Sequence, residues 1–408
     1  MSTTRVVISE SDRARHMSWL SQLTQTPTAS GKEQRVIRWI EKWVAERSDL
    51  TLSRDDVGNL TIAFRDVAPG GPRPVYFTAH LDHPAFVVER IIGPGTVELS
   101  FRGGVMDEYF VGAGVTLWND RDEFVYATLD GEAPGPAGPF KHYLAHIDTA
   151  ATAHIAIGDV GVWKLPKAEV IGEEFHTLAC DDLAALAAAL SALDVLRSVR
   201  PQNADVRVLC TRAEEIGFVG AIGACRMGTM PKEARVIALE NSRSFVESPI
   251  GGGPIVRVGD RMSVFSPSLT DAIAKRAEEI AGGPASVTAS QKQTDLPTWK
   301  WQRKLMAGGA CEASVFCNAG YEATCVCLPL GNYHNMADLT AVQAGTNTAQ
   351  PRVGREYIGV KDYEGLVDLL VACGQKLPDS GNLDAKFEKL WNERKFVLAS
   401  EAGDPRRA

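Results

Sequence analysis

No two cysteines in this sequence have the CxxC spacing, although there are eight, at 180, 210, 225, 311, 317, 325, 327 and 373. A cysteine zinc knuckle needs that spacing, and disulfide frameworks belong to short secreted chains, so neither is expected in 408 residues. The cysteines read instead as small buried apolar residues, and a reducing cytoplasm is the expected compartment. "CVC" at 325–327 lies in an apolar run whose side chains alternate across a strand. The GxSxG of a serine-hydrolase elbow is missing. "GGGP" at 251–254 lacks the Lys-Ser/Thr of a P-loop and reads as a turn near a pocket. No apolar run is long enough to span a bilayer, and "MSTTRVVISESDRARHMSWL" has no signal-peptide core, so neither membrane insertion nor export is expected. An excess of positive charge is absent too. With 43 Lys and Arg against 51 Asp and Glu, the net charge of -8 argues against nucleic acid or an anionic membrane as the main partner. In that acidic setting "TWKWQRK" at 298–304 reads as a packed loop or assembly contact. Internal repeats and low-complexity segments are also missing.

What remains is ordinary globular composition, 45% hydrophobic and 23% charged, in a chain long for a single core. Residues 11–47 show the three- and four-residue apolar spacing of helices, broken by the cap-like "TASGKEQ". "LTLSRDD", "VGN" and "LTIAFRD" form a hairpin pattern, and "VYFTAHLDH" reads as a short strand ending in polar residues. From about 83 to 175 helical periodicity disappears, and "TVELSFRG", "GVTLWND", "EFVYATLD" and "VGVWKL" alternate with Gly, Pro and Asp turns. Strand–helix alternation then returns with "LAALAAALSALDVLRSV", "ADVRVLC" and "ARVIALENS". A helix over 266–282, a buried strand at "ATCVCLPL" and a closing helix over 361–375 follow. The expected fold is α/β: a mixed central sheet flanked by helices, with an inserted small β-barrel domain. The expected boundaries are 1–82 with 176–400 for the α/β domain, 83–175 for the insertion, and 401–408 for a loose tail.

Five apolar runs end in His or carboxylate: "TAHLDH" (His80, Asp82), "LACDDL" (Asp181, Asp182), "RAEEIG" (Glu214, Glu215), "ALENS" (Glu240) and "GNYHNM" (His334). Each alone reads as a cap, a solvated turn or a satisfied core histidine. Together they do not, because α/β strand ends from distant segments converge on one edge of the sheet. Two histidines with several carboxylates suit zinc, cobalt or manganese. A pair of metals sharing a carboxylate can also acidify a water held between them.

The ordered set "TASGKEQRV", "DDVGNLT", "TAHLD", "EEIGFVGA", "GGGPIVRVGDR" and "GNYHN", with a β insertion after "TAHLD", resembles the glutamyl/deblocking aminopeptidase family. These are co-catalytic dinuclear metallopeptidases that form tetrahedral assemblies. The resemblance implies two divalent metal ions per chain, zinc foremost, with cobalt or manganese as alternatives. It implies His80 and Glu240 on one metal, Glu215 and His334 on the other, and Asp181 as the bridge. It also implies Asp82 as the group orienting His80 and Glu214 as general base. An aminopeptidase acting on short peptides through a metal-bridging hydroxide follows, in a homo-oligomer between dimer and dodecamer. Glu312 is a candidate contact for the substrate amine. The chain departs from the family pattern at His83-Pro84, Leu183, Glu240, Cys311-Glu312 and Asn332, which alters the substrate-facing side more than the metal core. A small-molecule amidase or aminohydrolase is therefore the second expectation, and a non-catalytic metal-binding assembly protein the third.

Overall fold

The computed structural model describes residues 6–67, 71–133, 138–286, 292, 299–378 and 383–398. The tail at 401–408 and Thr298 lie outside them. After helices α1 (Glu10–Leu23) and α2 (Gln34–Ala45), the hairpin β1 (Leu50–Arg54) and β2 (Leu60–Phe64) leads into β3 (Val75–His80). Six strands then close a barrel: β4 (Ala85–Gly93), β5 (Thr96–Arg102), β6 (Gly114–Trp118), β7 (Phe124–Glu132), β8 (Lys141–Ile147) and β9 (Val160–Trp163). β10 (Glu169–Ile171) and β11 (Glu174–Thr177) rejoin the main sheet, so strand pairing returns the chain there ahead of residue 175. The second half supplies α3 (Leu183–Val199), β12 (Val206–Thr211), α4 (Val219–Met227), β13 (Arg235–Arg243), β14 (Ile255–Asp260) and α5 (Pro267–Ala281). β15 (Gln302–Met306), α6 (Glu312–Asn318), β16 (Glu322–Gly331), α7 (Leu339–Ala344), β17 (Glu356–Gly359), α8 (Val360–Gln375) and α9 (Leu383–Arg394) complete the described chain.

The main sheet has the order β1-β2-β12-β3-β13-β16-β17-β11-β10, with β14 joined to β16 and β15 to β14. β12, β3, β13 and β16 run parallel. β11 shares their direction, being antiparallel to β17, which is antiparallel to β16. All five strands therefore present their carboxyl ends at one edge. Parallel strands covered on both faces read as near-continuous apolar runs, and β3, "VYFTAH", is buried at every position. On one face Phe77, Val208 and Ile237 pack under α3, whose Ala- and Leu-rich turns let it sit almost wholly buried between sheet and α8. On the other, Tyr76, Leu209 and Val236 pack against α4 and α6.

The barrel keeps its own core of Phe86, Leu99, Phe101, Phe110, Leu117, Tyr143 and Trp163, with Phe110 stacked on Tyr143 at 4.2 Å between centroids. β4 and β8 carry no turn-bounded alternation clear enough to read from sequence, and α9 follows the helix expected to close the chain. Trp301 of "TWKWQRK" is buried in the main core, and Trp299 packs beside it.

Candidate metal centre

Each of the five strand ends delivers its residues to the same edge. His80 closes β3, Glu214 and Glu215 follow β12, Glu240 lies on β13, Asp181 precedes α3 and His334 follows β16. Asp181 lies between the two histidines: its Oδ1 is 3.3 Å from His80 Nε2 and its Oδ2 is 3.5 Å from His334 Nε2. On the first side, Glu240 Oε1 is 3.8 Å and Glu214 Oε2 3.9 Å from His80 Nε2. On the second, Glu215 Oε2 is 3.4 Å from His334 Nε2. His80, Asp181 and Glu215 can each offer an atom to one ion, as can His80, Glu214 and Glu240, every set within 4.8 Å.

Hydrogen bonds to groups behind the cluster hold it in place. The Asp82 carboxylate accepts the Glu214 and Glu215 amides, at 2.9 and 3.1 Å, and the Ser30 hydroxyl at 2.5 Å. His80 Nδ1 faces the Asp82 carbonyl at 3.1 Å, with the carboxylate at 3.4 Å. Asp82 therefore orients the Glu-Glu turn as well as the histidine. Glu33 clamps the same turn one residue earlier, accepting the Ala213 amide at 3.0 Å and the Arg212 guanidinium at 2.7 Å. Ala213 sits at φ 52°, a left-handed conformation that a non-glycine residue holds only when its surroundings impose it. Gly220 allows the turn to close, since a Cβ there would meet the Arg212 carbonyl oxygen at 2.3 Å. Glu356 performs the same service on the opposite side: it accepts the Cys180, Asp181 and His334 amides at 2.6, 3.0 and 2.8 Å. Asp182 accepts the His80 amide at 3.2 Å and the Asn241 side chain at 2.9 Å, so both its oxygens are taken. The Asp181–Asp182 peptide is cis. The barrel contributes as well, because His334 Nδ1 donates to the Gly104 carbonyl at 2.6 Å, beyond the end of β5.

The electrostatics match a cation-binding site. Burial, with repulsion from neighbouring carboxylates, pushes Glu214 up to about 8 and Glu215 and Glu240 well above the ordinary range. Burial alone lowers His80, but Glu214, Asp181, Asp82 and Glu240 reverse that and raise it. Asp181 Oδ1 and Glu215 Oε1 are buried with no hydrogen-bond partner among the described residues. Buried carboxylates at this density need a positive charge among them, and these donors could hold a divalent metal ion.

The sequence-predicted His80, Asp82, Asp181, Glu214, Glu215, Glu240 and His334 thus come together. Glu312 lies behind them: it is buried, bonded to Thr211 Oγ1 at 2.9 Å, and does not line the cavity in front of the cluster. That cavity, about 580 Å³, is lined by Asp181, Glu214, Glu215 and Glu240 and by Arg243, Arg257 and Lys304. Sequence reading missed Glu33, Glu356, Asn241 and the Gly104 carbonyl. Glu33 lay in the quoted "TASGKEQ", but Glu356 and Gly104 carried no local signal.

Known proteins share this fold. Pyrococcus horikoshii TET1 peptidase is 19% identical with a TM-score of 0.67, over 89% of this chain and 100% of that one. An aminopeptidase of Desulfurococcus kamchatkensis is 18% identical with a TM-score of 0.67, over 89% and 95%. At these identities the likeness establishes the fold. A candidate aminopeptidase of Acetivibrio thermocellus is 24% identical over 340 residues, 81% of this chain and 94% of its own length. The M42 glutamyl aminopeptidase family model matches residues 58–350, a span that runs from before β2 to beyond the last candidate ligand and includes the whole barrel. The chain belongs to the M42 glutamyl aminopeptidase family.

Proposed function

We propose that this metal-dependent aminopeptidase holds two divalent ions, zinc foremost and cobalt or manganese otherwise, one on His80 and Glu240, the other on Glu215 and His334. Asp181 is shared between them. The observation that carries this reading is the placement of Asp181, each oxygen turned to a different histidine. Bound there, the ions supply Lewis acidity to a peptide carbonyl and lower the pKa of an attacking water. Glu214 takes a proton at its carboxylate and returns it to the leaving amine. Its buried place beside Glu215, lining the cavity, suits it to both roles. Asp82 fixes the amides of Glu214 and Glu215, so the base and one ligand are positioned by a single carboxylate.

The substrate is a short peptide with a free N-terminus. Solved relatives of this fold assemble as a dodecamer, or as a tetrahedron or octahedral shell, which supports a homo-oligomer here. A reducing cytoplasm is supported by eight free cysteines. No helix among the described residues is long and apolar enough to cross a membrane.

The test is a mixed pool of short peptides incubated with metal-replete protein and read by mass spectrometry beside Glu214→Gln. Ladders shortened from the N-terminus, absent in the variant, uphold the reading. An untouched peptide pool alongside cleaved small amides would favour the amidase alternative.

A further inference from the structure

Tyr333 lines the cavity beside Asp181, Glu214, Glu215 and Glu240, and among the described residues it is the one tyrosine that does so. Its ring lies against the His334 imidazole, 3.7 Å between centroids and 23° between planes. The backbone that aims the two side chains is unusual, because Asn332, His334 and Asn335 have φ of 53°, 54° and 65°. Non-glycine residues hold that left-handed conformation only when their surroundings impose it, and such strain gathers at active sites. Asn335 is pinned in it on three sides. Its Nδ2 donates to the Leu178 and Gly354 carbonyls at 2.7 and 3.1 Å, and its Oδ1 meets His83 Nε2 at 3.0 Å.

The stack on His334 accounts for the ring but not for the hydroxyl. A tyrosine taken out of water usually finds a partner for its O–H. Tyr109 and Tyr321 do so, donating to the Ala337 and Met230 carbonyls at 2.6 and 2.9 Å. The Tyr333 hydroxyl has no hydrogen-bond partner among the described residues, yet its oxygen is not sealed in. It therefore opens to the cavity, in the field of Asp181, Glu215, Glu240 and Glu214. Other donors along that wall are committed. Asn241 Nδ2 bonds the Cys180 carbonyl at 3.0 Å and Asp182 at 2.9 Å. Arg243 bonds Gln343 and Thr340 at 2.6 and 2.7 Å. Arg257 bonds the Ser242 hydroxyl, its Nε is sealed from the cavity, and Lys304 is turned to solvent. Ionised carboxylates only accept, whereas a phenol, with an ordinary pKa of about 10, keeps its proton at neutral pH.

We infer that Tyr333 is a further catalytic residue, whose hydroxyl donates to the scissile carbonyl oxygen as negative charge gathers there. The inference rests on the aminopeptidase reading and adds to it a protein donor for that charge. As water attacks, its oxygen bonds the carbonyl carbon and the C=O π pair moves onto the carbonyl oxygen. Glu214 takes the water proton and passes it to the leaving nitrogen as the C–N bond breaks. The phenol keeps its own proton throughout. Its hydrogen bond strengthens at the tetrahedral stage and relaxes when the carbonyl re-forms.

The experiment compares metal-replete wild type with Tyr333→Phe, which keeps the stacked ring and drops only the hydroxyl. Short peptides and small amides are the substrates. A phosphinic pseudopeptide, tetrahedral where the scissile carbonyl would be, is the binding probe, measured by calorimetry beside a free amino acid. Metal content and thermal melting are followed in both proteins. In Tyr333→Phe, kcat should fall about 10²- to 10³-fold with KM and metal content unchanged. Affinity for the phosphinic pseudopeptide should fall with kcat, and affinity for the amino acid should not. Peptide cleavage left intact in Tyr333→Phe overturns the inference, leaves the ring as a support for His334, and lets the family activity stand. A lower kcat accompanied by metal loss also overturns it, because the tyrosine then acts through His334. Small amides cleaved by wild type in place of peptides, with that cleavage lost in Tyr333→Phe, uphold the donor and sink the aminopeptidase reading. A wild type that cleaves neither sinks both.

Discussion

Two buried histidine–carboxylate groups in this chain make a useful contrast. In the barrel, His142 Nδ1 lies 2.7 Å from Glu98 Oε1, and Arg90 Nε donates to Glu98 Oε2 at 2.8 Å. Burial raises Glu98, but Arg90 and His142 outweigh it and hold the carboxyl below its ordinary range. At the sheet edge the histidine–carboxylate contacts are longer, from 3.3 to 3.9 Å, and carboxylates outnumber histidines. Three of them are driven up rather than down. The barrel group is complete, whereas the edge group is short of positive charge. The contact distances and the surplus of carboxylates over histidines, not the residue types, separate a structural ion pair from the candidate metal centre.

The largest expected break in this contrast is Glu214→Gln. It should lower kcat by roughly 10²- to 10⁴-fold with metal content unchanged by elemental analysis, since only the proton-transfer group is lost. Glu98→Gln, its counterpart in the barrel, should leave kcat where it was. Next is Asp181→Asn, which removes the charge shared by both sides. It should release metal and forfeit metal-linked stabilisation of about 2.7 kcal/mol at a hundredfold excess over Kd, visible as a melting temperature that no longer responds to added zinc. Third, Glu98→Gln strands a buried histidine and should cost about 1–3 kcal/mol in denaturant unfolding.

The last break is a slope rather than a single step. In chelator-treated protein, Glu214 holds its proton up to about 8, whereas the unfolded chain loses it near the ordinary 4.5. The folded apo form therefore binds more protons across that window, and its stability falls as pH rises, by at most about 1.4 kcal/mol per pH unit per proton. Glu215, Glu240 and His80 act in the same direction. Glu98 has the opposite sign, its contribution present above its ordinary value and lost on acidification. Denaturant midpoints from pH 5 to 8, with and without metal, check both directions.

The fold class and the meeting of the five strand ends were legible because each leaves a local mark: an apolar run, then His or carboxylate. The supports were not. Glu356 holds Asp181 and His334 from 175 and 22 residues away, through backbone amides that any sequence possesses. Gly104 acts through its carbonyl alone, so its identity carries no chemistry. Glu312 was readable as an acidic residue near the site, but its depth depends on α6 packing against β13 and β16.

Asp181, as proposed, joins two metals in one centre, and metal stoichiometry is the decisive measurement. Native mass spectrometry of wild-type and Asp181→Asn protein, each dialysed against chelator and reloaded with zinc, should show two ions per chain in the first and loss of both sites in the second. A single ion in wild type, or two retained in Asp181→Asn, would contradict the account.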